Sequence, residues 1–107
     1  MHPTEHLEFK VKNTTAPQKI ATAIVMHTMK GDRLFLSTIG AGALNQATKG
    51  AIIASQRLIA DGITLSMRPA FFNLDTMMPV EATEETVEGF TEDRKTVIRL
   101  FLDCKYG

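Results

Sequence analysis

The residues best suited to chemistry lie in one short run, Gly40-Ala41-Gly42-Ala43-Leu44-Asn45, which follows an apolar stretch and opens a long helical pattern. A glycine turn before a helix lets another molecule approach the backbone closely. It also leaves the first N–H groups of the helix free to hold an anion. The chemistry on offer is phosphate contact. A dinucleotide site would need a third glycine where Asn45 stands, and a larger sheet than 107 residues can build. Further along the same pattern Lys49, Ile53 and Arg57 recur at i, i+4 and i+8, flanked by Asn45, Gln46 and Gln56. Two cations and three amides around an isoleucine expected to be exposed suit phosphates and groove edges. The same residues also suit a solvated helix face or a protein interface.

Other reactive side chains do not assemble into a site. His2-Pro3-Thr4-Glu5-His6 fits the H-x-x-E-H zinc pattern, but that pattern requires a helix and a third ligand. Here it runs into a strand. His27 stands alone on a helix, and no Ser/His/Asp or Cys/His set can be composed. The one cysteine, Cys104, reads as inward packing on a strand. The sequence therefore predicts no catalytic residue, no cofactor and no metal, and a protein that works by binding.

The elements that must position these groups follow from periodicity. His6 to Lys12 alternates, with Leu7, Phe9 and Val11 opposite Glu8, Lys10 and Lys12, which predicts a half-buried strand. Pro17 suits a first helical turn, and Ile20, Ala21, Ile24 and Val25 form the apolar arc of a helix reaching about Lys30 before Gly31-Asp32 stops it. Arg33 to Ile39 reads as a strand. The second helix runs to Asp61 with Leu44, Ala47, Ala51, Ala54, Leu58 and Ile59 inward, and Gly62 caps it. Ile63 to Arg68 is a third strand, with Pro69 demanding an edge position or a bulge. Asn73 to Asp93 has no sustained period. In the last strand, Arg94 to Lys105, Ile98, Leu100, Leu102 and Cys104 face in while Val97, Arg99, Phe101 and Asp103 face out.

The order β-α-β-α-β-β predicts a two-layer α/β sandwich of the α+β kind. Two right-handed crossover helices cover one face of a four-stranded mixed sheet whose last two strands form a hairpin, in a single domain over 1–107. The other sheet face carries Lys10, Arg68 and Arg99 among Phe35 and Phe101. Such a face stacks the bases of a single strand, or buries its phenylalanines in a dimer.

Composition is globular, with 44% hydrophobic and 22% charged residues, and no apolar run long enough for a bilayer. Without a signal-like start or paired cysteines, the cytoplasm is the expected compartment. The net charge of zero hides a partition. Between Pro69 and Asp93 there is no Lys or Arg but there are seven acids: Asp75, Glu81, Glu84, Glu85, Glu88, Glu92 and Asp93. The remainder holds 12 basic and 5 acidic residues, a basic body bearing an acidic segment.

The run Ile39-Gly40-Ala41-Gly42-Ala43-Leu44-Asn45-Gln46-Ala47 resembles the mark of the stage V sporulation protein S family, and the closing Lys95-Thr96-Val97-Ile98-Arg99-Leu100 resembles its last strand. The resemblance implies an Alba-like β-α-β-α-β-β fold, assembly as a dimer or tetramer, and nucleic-acid binding in a non-enzymatic regulator. Alba-type binders carry adjacent lysines after the first strand and a basic hairpin between the last two. Here the loop reads Asn13-Thr14-Thr15-Ala16-Pro17-Gln18-Lys19, and the hairpin over about 75–93 is acidic and would repel phosphates. The expected partner is DNA or RNA bound with low sequence specificity. The expected contacts are Gly40, Gly42, Asn45, Gln46, Lys49 and Arg57, with Lys12 and Lys19 secondary. No membrane and no small-molecule substrate are expected. An oligomeric scaffold acting through protein contacts alone is the alternative.

Overall fold

Alternating Leu7, Phe9 and Val11 give the first strand, β1 (His6–Val11), and Pro17 pre-sets the first turn of α1 (Pro17–Met29). The computed structural model describes residues 6–81, 83 and 96–107. The chain continues through β2 (Arg33–Thr38), α2 (Ala41–Ile59), β3 (Ile63–Asn73), β4 (Pro79–Val80) and β5 (Thr96–Tyr106). Gly31 and Gly62, both at positive φ, follow the two helices.

The strands form one mixed sheet in the order β1-β2-β5-β3-β4. β1 and β2 are parallel, with Leu7 opposite Leu34 and Phe9 opposite Leu36. β5 lies between β2 and β3, antiparallel to both, so β2 and β3 run the same way. Each helix is therefore a crossover between parallel strands, and both pack on one face as a two-layer α/β fold. Among the described residues the sheet has five strands, where periodicity predicted four. β4 joins through Phe71 opposite Val80 and Phe72 opposite Pro79, and two residues carry no readable period. β3 also runs past Arg68 through Pro69. Among the described residues it has no partner on its outer side before Phe71 meets β4, which is the edge position a proline requires.

The core lies between helices and sheet. Ile20, Ala21 and Ile24 of α1 and Ala47, Ala51, Ala54 and Leu58 of α2 close on Leu34, Leu36, Leu100 and Leu102. Gly50 sets how closely the helices approach: a Cβ there would fall 2.5 Å from Cβ of Ile20 and 3.1 Å from the Pro17 carbonyl oxygen. The buried arc of α2 is thus centred on Ala43, Gly50 and Ala54. Ile59, expected inside, sits on the opposite side of the helix and is 58% exposed. Among the described residues the second sheet face has no helix, yet Phe35, Phe72 and Val97 are buried on it. One arginine side chain covers two of these rings. The guanidinium carbon of Arg99 stands 4.5 Å from the Phe35 ring centre and 4.2 Å from that of Phe72.

Candidate functional site

Each crossover helix returns against the direction of the strand before it. The carboxyl ends of β1 and β2 and the N-termini of α1 and α2 therefore meet at one end of the molecule. A groove of about 1010 Å³ opens there, lined by Lys10, Lys12, Arg99, Gly40, Gly42 and, on its apolar side, Ile39 and Val97 among others.

Gly40 makes the turn into α2 with φ 90°, a conformation that a Cβ disfavours. No side chain caps α2, no acid lies in its first turn, and its first intrahelical bond runs from Leu44 N–H to the Gly40 carbonyl. The N–H groups of Ala41, Gly42 and Ala43 precede that bond, at the positive end of the helix dipole. α1 likewise starts without a side-chain cap or an acid. The loop between β1 and α1 is seated on α2. A Cβ on Gly42 would lie 2.9 Å from Cβ of Asn13, and the Gln46 amide donates to the Thr15 carbonyl at 3.1 Å. Thr15 Oγ1 accepts from Lys12 N–H at 2.9 Å, which fixes the backbone that carries the Lys12 ammonium.

The cations meet by register. Lys10 is opposite Ser37 and Ser37 is opposite Arg99, so a single row across three strands carries two positive side chains toward the groove. Lys10 and Lys12 are exposed, while Arg99 is partly buried and its Nε has no hydrogen-bond partner among the described residues. Glu8 opposes them from the next row, its Oε2 accepting from the Ser37 hydroxyl at 2.6 Å. His27 pairs with Asp32 at the far end of α1, and among the described residues no carboxylate forms an ion pair with a groove cation.

Of the residues singled out in the sequence, Gly40, Gly42 and Lys12 come together in this groove. Asn45 and Lys49 are exposed on the next turns of α2, and Lys19 is exposed on the first turns of α1. Gln46 is held in the seam between the helices. Arg57 donates to Gln18 Oε1 at 2.7 Å and to Thr22 Oγ1 at 3.4 Å, uncharged partners that tether it to α1. It lies sixteen residues beyond Ala41, about 24 Å along the axis at 1.5 Å per residue. Ile53, expected exposed, packs against the core because α1 covers that flank of α2, and its neighbour Ile52 is exposed instead.

Lys10 and Arg99 were expected on the second sheet face, to stack bases or to close a dimer, and not with the glycine turn, since local alternation cannot show that this face continues into the groove. His2 and Glu5 of the zinc-like pattern lie outside the described residues, as does the acidic segment at 84–93. His6 opens β1 with its ring 5.7 Å from that of Phe101. Cys104 faces inward, its Sγ 3.6 Å from Thr28 Oγ1. Among the described residues no helix is long and apolar enough to cross a membrane. No curated protein matches the chain. A family model described as Stage V sporulation protein S (SpoVS) matches residues 7–103.

Proposed function

This chain belongs to the stage V sporulation protein S family, a family of sporulation-related regulators, and from that premise we propose that it binds nucleic acid, DNA or RNA, with low sequence specificity and without catalysis. The observation that carries this reading is the groove. Lys10, Lys12 and Arg99 converge there on an uncapped helix N-terminus, with Glu8 as the opposing carboxylate. Phosphate oxygens accept from the N–H groups of Ala41, Gly42 and Ala43 and pair with the two lysines, and the forked guanidinium of Arg99 adds a directional contact. Asn45, Lys49 and Lys19 extend the track along the helices. Contacts of this kind position a backbone and carry no sequence information, hence the low specificity. The protein acts in the cytoplasm as a homo-oligomer.

A second reading, an assembly scaffold, is favoured by one surface. Ile52 and Ile59 are more than half exposed, and Ile52 and Met67 flank a shallow groove between α2 and β3. A gel shift with single- and double-stranded probes at two salt concentrations separates the readings. Retardation at low salt that weakens steeply with salt is expected, because released counterions drive such binding. Lys12→Glu should weaken every probe alike and flatten the salt slope by about 1 or more. A folded protein that retards no probe at low salt would leave the scaffold reading standing.

A further inference from the structure

Resting on the nucleic-acid reading, we propose that the ligand is single-stranded, and that its bases stack on the Arg68 guanidinium and the His6 ring on the sheet face opposite α1 and α2. The register builds this face in rows. Glu8, Phe35, Phe101 and Arg68 form one row across four strands, next to the row of Lys10, Ser37 and Arg99. The guanidinium carbon of Arg68 lies 4.7 Å from the Phe101 ring centre, and that ring is 5.4 Å from Phe35 and 6.0 Å from Phe72. Phe35 and Phe72 are only 8% and 9% exposed, so a base does not reach their faces. Arg68 and His6 are exposed, and they are the outermost planar groups of the cluster. A guanidinium backed by a phenyl ring presents its other face outward, and such planes stack unpaired bases.

Two further observations join this face to the groove. Arg99 belongs to both, lining the groove while lying over Phe35 and Phe72, so a strand whose phosphates enter the groove leads onto the aromatic row. The face also carries Lys10, Arg33, Arg68, Arg99 and Lys105 against Glu8 and Asp103, a surplus of positive charge suited to a polyanion. A duplex keeps its base faces stacked inside and gains nothing from Arg68 as a plane.

The test measures fluorescence anisotropy at low salt with four probes of equal length: single-stranded DNA, single-stranded RNA, an abasic strand with the same phosphates, and a duplex. Wild type should bind the base-bearing strands about tenfold more tightly than the abasic strand and the duplex, in line with stacking of a base. Arg68→Lys keeps the charge and removes the plane. It should lose about tenfold on the base-bearing strands and less than about twofold on the abasic one. Preference for RNA or DNA identifies the sugar carried, and either preference supports the proposal. Equal binding of all four probes, or an Arg68→Lys protein that matches wild type, overturns it while leaving nucleic-acid binding intact, as expected if this face is instead buried between copies of the chain. A folded protein that binds none of the probes overturns the underlying reading as well.

Discussion

Glu8 is the residue that opposes the charge of the groove. Its carboxylate sits one row from Lys10 and Arg99 and accepts the Ser37 hydroxyl. Glu8→Gln keeps an oxygen for Ser37 and removes the negative charge that phosphates must pass. Affinity for single-stranded probes should rise about two- to fivefold at low salt and converge on wild type as salt is raised, as for a screened surface charge. Weaker binding, measured by anisotropy, would contradict the phosphate path drawn here. At this scale the sequence was readable where chemistry is local. The Gly40–Gly42 turn and Lys12 announce themselves by residue type and spacing. Arg57 and Arg99 do not, because what each faces is decided by chain far away in sequence: α1 for Arg57, and β2 and β3 for Arg99.

Among the elements, the pair of helices determines whether the groove exists, since α2 holds the β1–α1 loop through Gly42 and Gln46. Gly50 is the point of closest approach. Gly50→Ala improves intrinsic helix propensity by about 1 kcal/mol, but its methyl would meet Ile20 Cβ at 2.5 Å and the Pro17 carbonyl oxygen at 3.1 Å. Overpacking of this kind costs about 1–3 kcal/mol. A net loss of stability in urea denaturation is therefore expected, and a gain would contradict the seam. Most elements were legible because their apolar residues recur at periods that local sequence displays. The inward alanines of α2 show in its helical period, whereas Gly50 marks the contact point only once Ile20 of α1 is packed against it. β4 was not legible because Pro79–Val80 is a strand only through its pairing with Phe71 and Phe72. The extension of β3 beyond Pro69 depends in the same way on its pairing with β5.

For the molecule as a whole, topology and charge point to the same end. Parallel β1 and β2 with crossover helices gather two helix N-termini beside Lys10, Lys12 and Arg99, and Leu74 and Met77, from the stretch between Pro69 and Asp93 that carries seven acids, line the same groove. The fold family was legible in the glycine run and the order of elements. That the basic row and the helix start share one groove was not, because it requires the register of three strands. The central claim is that nucleic acid docks at this end, and amide chemical-shift mapping tests it most directly. Titration of ¹⁵N-labelled protein with a single-stranded oligonucleotide at low salt should move the amides of Lys10–Asn13, Gly40–Ala43 and Arg99, and leave the last turn of α2 in place. Shifts confined to Ile52, Ile59 and Met67, or none at saturating probe, would contradict it.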